Sequence, residues 1–309
     1  MRDTSKLLAG TILLLLIFIS ARADKLSTLD EKFLGEIKKI DAGLDGVLGY
    51  AIKDLKTGKT YFRNEKEIFP QASSIKITIL LEVFKQAEEG KFKLDEFIEL
   101  KNSDKVPGSG ILLNLGYPKV SLSIKDICVL MIVLSDNTAT NLLIEKAGLE
   151  AVNKRLESLK LGQTHLRRKM MDLKAAGEGR ENISTPLEMM TLLEKIYRGQ
   201  AIKDPLREEM IKILSIPKES PLRSGVPEDA QVAEKSGELE AVRCDSGIVF
   251  LKDRPYIICV MTTYLQNDKD GNEAIAAISK IAFEHFSRLR RSSEYGTINL
   301  FAQETPTSR

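Results

Sequence analysis

The chain has 309 residues, a formal net charge of +2 and 43% hydrophobic residues, which is ordinary for a soluble globular protein with a sizeable core. This charge balance gives no electrostatic reason to expect a nucleic-acid partner. The only histidines are His165 and His285, and no HExxH or HxHxD cluster occurs. We therefore expect neither a histidine-based zinc site nor a Ser-His-Asp hydrolase, and no metal or cofactor.

The first residues, MRDTSKLLAGTILLLLIFISARADK, begin with a basic segment and continue with an apolar run. That run, of about 14 residues, is short for a membrane-spanning helix, which needs roughly 20. Because Ala21-Arg22-Ala23 fits a small-x-small cleavage site, residues 1–23 are predicted to be a signal peptide cleaved near Ala23. We expect an exported protein, periplasmic or secreted, with no stable membrane anchor. An uncleaved anchor is the alternative.

Hydrophobic periodicity predicts the remaining elements in chain order. A helix over Asp30–Leu44 precedes two strands, GVLGYAIKDL and TYFRNEKEIF, which are joined by a turn at Gly58. Helical patterns separated by turn residues dominate from Ser73 to about Leu214. Strand patterns return in QVAEKSG, VRCDSGIVFL and YIICVMTTYL, and the helix NEAIAAISKIAFEHFSRLRR follows.

This order predicts an α/β (α+β) fold built on one sheet. Two strands alone do not make a stable sheet, so the early pair should join the late three in a five-stranded antiparallel sheet flanked by the terminal helices. The catalytic domain would span residues 24–291. Its sheet subdomain comprises 24–70 plus 216–291, with an inserted all-helical subdomain over 71–215. Residues 292–309 form a polar C-terminal tail, and a cleft should open where the insert meets the sheet.

The three cysteines, Cys128, Cys244 and Cys259, leave at least one thiol free in an exported protein. A turn near Asp253 predicts that residue 248 lies opposite Cys259, which puts Cys244 about four residues out of register. That separation is too large for a disulfide, so we expect buried thiols.

In FPQASSIKITILLEVF, Ser73 and Lys76 lie three residues apart as a helical pattern begins. Residues at this spacing share a helix face. A serine needs a nearby base to become a nucleophile, and a lysine with a lowered pKa can supply one. The alternative is a helix-capping serine beside a solvated lysine.

Two further motifs distinguish these interpretations. LMIVLSDNTATNLL contains Ser135-Asp136-Asn137, and VAEKSGELEAVRCDSGIVF contains Lys235-Ser236-Gly237. Singly, the first could cap a helix and the second could protect a sheet edge. Together, the order S-x-x-K, S-D-N, K-[ST]-G and its spacing match a known catalytic set.

The sequence resembles the class A serine β-lactamases, a family of the penicillin-recognising serine hydrolases, over nearly the whole chain after residue 23. This resemblance implies that Ser73 attacks the lactam carbonyl and becomes acylated. It also implies that Lys76 helps to move the serine proton and that Ser135 relays a proton to the leaving nitrogen.

The same resemblance implies the substrate-binding residues. Asn137 would hydrogen-bond the substrate's side-chain amide, and Lys235 and Ser236 would face its carboxylate. The backbone N–H groups of Ser73 and Glu238 would form the oxyanion hole. Gly237 fits a strand that must approach the ligand closely.

One loop departs from the family pattern. Class A enzymes carry Glu-x-x-x-Asn, which holds the deacylating water, whereas counting from Leu161-Gly162 puts Asp172 and Ala176 at these positions. Asp172 is the predicted general base, Glu178 and Glu181 are alternatives in a rearranged loop, and a purely structural Asp172 stays open. Release of the acyl group is therefore the step that these two differences affect.

We expect a monomeric serine β-lactamase that hydrolyses β-lactam antibiotics through a Ser73 acyl-enzyme. The alternative is a penicillin-binding or peptidase-like serine hydrolase that deacylates slowly and acts on peptidoglycan or another amide or ester. A non-catalytic binding or sensor domain is a third hypothesis, and the intact Ser73, Lys76, Ser135 and Lys235 argue against it.

Overall fold

The computed structural model describes residues 28–116, 119–293 and 295–298. The predicted signal peptide over residues 1–23 lies outside these residues, as does most of the predicted tail.

A five-stranded antiparallel sheet forms one half of the molecule, in the order β2-β1-β9-β8-β7. The early strand pair therefore joins the late three, which confirms the predicted sheet. The strands are β1 Val47–Asp54, β2 Thr60–Arg63, β7 Val232–Leu239, β8 Val242–Val249 and β9 Tyr256–Thr263.

Helices cover both faces of this sheet. The first helix, α1, spans residues 28–43, and the last, α10, spans Asp268–Arg291. Together they cover one face, where Phe33 and Ile37 of α1 share a buried cluster with Ile275 and Phe286 of α10. All eight positions of β8 are buried, as expected for an inner strand covered on both sides.

The second face packs against the helical region. Its longest inner helix, α2, has residues such as Ile79 and Leu80 in the same buried cluster as Ile248 and Met261 of the sheet. The helices of this region are α2 Lys76–Glu88, α3 Ile124–Val133, α4 Asn137–Ala147, α5 Leu149–Ser158, α6 Leu173–Gly177, α7 Pro186–Tyr197 and α8 Leu206–Ser215, and α9 Pro221–Ser224 follows.

The helical region also contains short strands that the sequence did not predict. Strand β4, Phe97–Glu99, pairs with β5, Ser121–Ser123. The predicted second strand is shorter than expected, because β2 ends at Arg63 and Asn64 adopts a positive φ of 45°. The chain resumes as β3, Phe69–Pro70, which pairs instead with β6, Ile183–Ser184. This pairing ties the segment before Ser73 to the helical region.

The predicted register of the last two strands is wrong by two residues. Cys259 lies opposite Ser246, not residue 248, because the connection between β8 and β9 is longer than a tight turn at Asp253. A shift of two keeps every side chain on its predicted face. Cys128, Cys244 and Cys259 are free and buried, as expected.

Within the described ranges, no helix is long and apolar enough to cross a membrane. The same residues contain no cluster of three or more His, Cys, Asp or Glu side chains that could hold a metal ion.

Candidate active site

Ser73 lies on a 3₁₀ turn, Ala72–Ile75, that leads directly into α2. The turn begins with a strained residue, since Ala72 has a φ of 45°. The neighbouring Ser74 is buried, and its hydroxyl donates to Gln71 O at 2.9 Å and to Gln71 Oε1 at 2.8 Å. Ser73 is only half-buried. Of the two adjacent serines, Ser73 is thus the one whose side chain can meet a ligand.

Lys76 begins α2 and is fully buried. Its Nζ donates to Ser135 O at 2.7 Å, to Ser135 Oγ at 3.1 Å and to Asn137 Oδ1 at 3.1 Å. Burial, and then the neighbouring Lys235 ammonium, lower the pKa of Lys76 well below its ordinary value. A buried amine with these partners can exist as a neutral base, which is what serine activation requires.

The corner Ser135-Asp136-Asn137 connects α3 to α4 and is held in place by Asp136. Its Oδ1 accepts from Ala139 N at 2.8 Å and caps α4, while its Oδ2 accepts from Ile111 N at 2.7 Å and Leu112 N at 2.8 Å. Asp136 is therefore fully used in fixing this corner. Ser135, with a φ of 51°, is left to project its hydroxyl towards Lys76.

Strand β7 presses directly on the Ser73 turn. A methyl group on Gly237 would lie 2.4 Å from Gln71 O, 2.7 Å from Ser74 N and 2.9 Å from Ser73 N. Only glycine permits this close approach. The N–H groups of Ser73 and of Glu238, the residue after Gly237, therefore belong to two backbone segments that pack against each other. The close approach at Gly237 is thus explained by the backbone of the Ser73 turn, and its approach to a ligand stays a prediction.

Lys235 is almost completely buried, and its Nζ donates to Ser236 O at 2.8 Å. Burial lowers the pKa of Lys235 to about 8, although Glu234 and Asp245 oppose the shift. Ser236 is half-buried and the Glu238 side chain is exposed. The structure thus brings the S-x-x-K, S-D-N and K-S-G motifs together, because Lys76 contacts Ser135 and Asn137 while Gly237 packs on the Ser73 turn.

Asp172 does not share these contacts. It is exposed, and its carboxylate caps α6 by accepting from Ala175 N at 3.0 Å. The alternatives are also engaged, since Glu181 accepts from Arg168 Nη2 at 2.8 Å and Glu178 pairs with Arg180. The role of Asp172 as deacylating base stays a prediction.

The sequence analysis did not predict the residues that hold the loop around Asp172 in place. Asn141 donates to Met170 O at 3.1 Å and accepts from Met170 N at 2.8 Å, which fixes the loop backbone against α4. Met171 Sδ and Asn137 Nδ2 lie 3.2 Å and 2.5 Å from the point where a Cβ on Gly108 would stand. The Met171 thioether and the Asn137 amide therefore both pack against Gly108.

One of these residues carried a usable signal. Asn141 follows Asn137 by four positions on a helical pattern, and residues at this spacing lie on the same helix face. The buried charged residues Lys218, Glu234 and Asp245 gave no such signal, because they come from a loop, β7 and β8 respectively.

Known proteins are similar to this chain over most of its length. A family model described as the beta-lactamase enzyme family matches residues 32–286. The imipenem-hydrolyzing beta-lactamase of Enterobacter cloacae is 27% identical over 270 residues, or 84% of this chain and 91% of that protein. Beta-lactamase SME-1 of Serratia marcescens is 26% identical over 258 residues, or 81% and 87% of the two chains.

Solved structures resemble the fold over a similar length. The beta-lactamase from Sphaerobacter thermophilus superimposes with a TM-score of 0.75 at 30% identity and covers 82% of this chain and 97% of that one. The protein PBP-A superimposes with a TM-score of 0.76 at 26% identity and covers 83% and 96%.

Proposed function

The chain belongs to the beta-lactamase enzyme family, and from that premise we propose that it is a serine β-lactamase that opens β-lactam antibiotics through an acyl-enzyme on Ser73. The observation that carries this proposal is the buried Lys76 amine, held between Ser135 and Asn137 one helical turn from Ser73. Its physiological consequence would be antibiotic resistance.

Acylation proceeds with Lys76 in its neutral form. The Ser73 hydroxyl proton passes to Lys76 Nζ as Ser73 Oγ bonds to the lactam carbonyl carbon. The carbonyl oxygen becomes an oxyanion that accepts from the N–H groups of Ser73 and Glu238, each donor contributing about 3 kcal/mol. When the C–N bond breaks, Ser135 gives its proton to the nitrogen and takes one from the Lys76 ammonium, at 3.1 Å.

Substrate binding uses the opposite wall of the cleft. The substrates are anionic, so their carboxylate binds beside Lys235 and Ser236 on β7. The amide of Asn137 holds the acyl side chain, because its own backbone is fixed by Ser109 O at 3.0 Å.

Hydrolysis of the ester completes the cycle. Water attacks the ester carbonyl and a base takes the water proton. That proton is then returned to Ser73 Oγ as the ester C–O bond breaks and the opened product departs. Asp172 is the predicted base, although its carboxylate also caps α6. That contact would slow release of the acyl group, which is the property of the second candidate function, a penicillin-binding or peptidase-like enzyme that acylates readily and releases slowly. The curated relatives, which are β-lactamases, favour the first.

The test is covalent labelling with a fluorescent penicillin, followed by the rate at which the label is released. Ser73→Ala should abolish labelling without a change in melting temperature, whereas the matched variant Ser74→Ala should still be labelled. Label that persists on Ser73→Ala, or that maps to another residue by mass spectrometry, would sink this mechanism. Release within seconds indicates a β-lactamase, and release over hours indicates the second candidate.

We also propose that the enzyme is exported as a monomer after cleavage near Ala23. The basic start, the short apolar run and the Ala21-Arg22-Ala23 site support export. N-terminal sequencing of the exported protein should begin within a residue or two of Asp24. An intact Met1 on a membrane-bound protein would favour the uncleaved anchor.

A further inference from the structure

A cavity of about 460 Å³ lies at the base of the loop that carries Asp172. It is lined by Leu149, Asn153, His165, Leu166, Arg167 and Arg180, and none of these residues takes part in the chemistry above. Every ionisable side chain in this lining is basic, although basic and acidic residues are nearly balanced along the chain, at 46 and 44. Because small-molecule sites typically measure about 300–1,000 Å³, the cavity has room for more than a single ion.

The extended segment that leads into the loop places two of the basic groups side by side. His165 N donates to Ile183 O at 2.9 Å, and Ile183 N donates to His165 O at 3.1 Å, so the segment forms a short antiparallel bridge. Side chains alternate between the two faces of extended backbone. Leu166 is buried, whereas His165 is half-buried and Arg167 is exposed. His165 and Arg167 therefore project from the same outer face.

Two asparagine side chains hold the backbone of this segment in place. Asn153 of α5 accepts from Leu166 N and donates to Leu166 O, both at 2.9 Å. Asn182 Oδ1 accepts from Arg167 N at 2.7 Å. The basic side chains thus start from fixed positions, and a preorganised site loses less conformational entropy when it binds a ligand.

The basic groups of the cavity have donors to spare. Among the residues that the structure describes, neither the Arg167 guanidinium nor the His165 ring has a hydrogen-bond or ion-pair partner. Arg180 pairs through Nη2 with Glu178, and both side chains are exposed. A surface pair of this kind is weak, and the other guanidinium nitrogens of Arg180 stay available.

The chemistry of these donors favours a phosphate group over a carboxylate. A guanidinium presents its N–H donors as a planar fork that matches phosphate oxygens in pairs. A phosphate monoester carries about −1.5 to −2 charges near neutral pH, whereas a carboxylate carries one. Two guanidinium groups and an imidazole around one cavity therefore match the charge of phosphate better.

We propose that this cavity binds a phosphate group, with Arg167 and Arg180 as paired donors and His165 as a third. The group belongs to a small phosphate monoester or is free inorganic phosphate. Leu149, which is half-buried at the start of α5, borders the same cavity and would pack against the organic part of a monoester. The proposal is independent of the proposed function, because it uses no residue of the Ser73 mechanism.

The experiment titrates the whole protein with inorganic phosphate and, separately, with phenyl phosphate, at constant pH and at an ionic strength held with chloride. The chain has only two histidines, His165 and His285, so their ring resonances can be followed singly by NMR, and His165→Gln assigns them. The His165 resonances should shift to saturation while those of the buried His285 stay unchanged. Tighter binding of phenyl phosphate identifies a monoester as the ligand, and equal affinity identifies the free ion.

Variants then test the two arginines. Arg167→Gln and Arg180→Gln should each weaken phosphate binding by about tenfold or more, because each removes charge-assisted hydrogen bonds. The control, Lys174→Gln, removes an exposed positive charge from α6 in the same loop, outside the cavity lining. It should bind phosphate as the wild-type protein does.

Three results would overturn the proposal. They are a His165 ring that does not respond to either compound, equal shifts at both histidines, and an equal loss of affinity in Lys174→Gln and Arg167→Gln. The NMR titration uses the wild-type protein, so it decides even where a variant does not fold. Penicillin labelling of Ser73 is a separate readout, and failure here leaves the proposed function standing.

Discussion

Gly237 is the position where a single methyl group should test how the site is assembled. In Gly237→Ala, the new Cβ would stand 2.4 Å from Gln71 O and 2.9 Å from Ser73 N, whereas ordinary Cβ contacts begin at about 3.4 Å. The contacted atoms are backbone, so they cannot rotate away. Either β7 or the Ser73 turn must therefore move by about 1 Å.

Such a shift separates the two N–H groups proposed to bind the oxyanion. A misplacement of about 1 Å can cost about 100-fold in rate, and loss of one oxyanion donor costs about 3 kcal/mol. We expect acylation of Gly237→Ala to slow by about 100-fold and its unfolding free energy to fall by about 1–3 kcal/mol from overpacking.

Stopped-flow measurement of the acylation burst gives the rate, and thermal unfolding gives the stability. The control is Gly35→Ala in α1, where an added Cβ meets nothing within 4 Å. It should leave acylation unchanged and stabilise the protein by about 0.5–1 kcal/mol. A Gly237→Ala variant that acylates at the wild-type rate would refute the argument that β7 presses on the turn.

The remaining predictions concern release and stability. Asp172→Asn keeps the cap of α6, because asparagine caps a helix as well as aspartate. The variant therefore tests the negative charge of Asp172 alone. The lifetime of its acyl-enzyme, measured by mass spectrometry, should increase while the rate of acylation is unchanged. Equal release rates in both proteins would leave Asp172 with a structural role only. His285, packed on Phe33 and 3.4 Å from Asp30, has its pKa lowered by burial from 6.5 to about 4. In this pH range the unfolded chain therefore binds a proton that the folded protein does not bind. The free energy of unfolding should fall by about 3 kcal/mol as the pH drops from 6.5 to 4. His285→Gln should remove this contribution from the pH dependence of urea unfolding, and an unchanged slope would assign the acid sensitivity to other groups.

The sequence alone determined the reactive motifs and the outline of the fold. Ser73 and Lys76 were readable because helical spacing is local, and the strand patterns showed which segments alternate between core and surface. Two strands at the start could only be stable in a sheet with the later three, which forced the inserted arrangement. These arguments use short-range periodicity and the need to bury apolar faces, and both can be recognised from the order of residues along the chain.

Only the tertiary structure decided how segments meet across long sequence distances. The pairing of Cys259 with Ser246 depends on the shape of one loop, and a two-residue shift leaves the hydrophobic pattern unchanged. The hold of Asn141 on Met170 depends on how a loop packs against α4. The buried carboxyl pair of Glu234 and Asp245 exists because two strands and the loop at Lys218 exclude water together. Desolvation is a property of the assembled neighbourhood, so the pKa values that govern this site could not be read from any one segment.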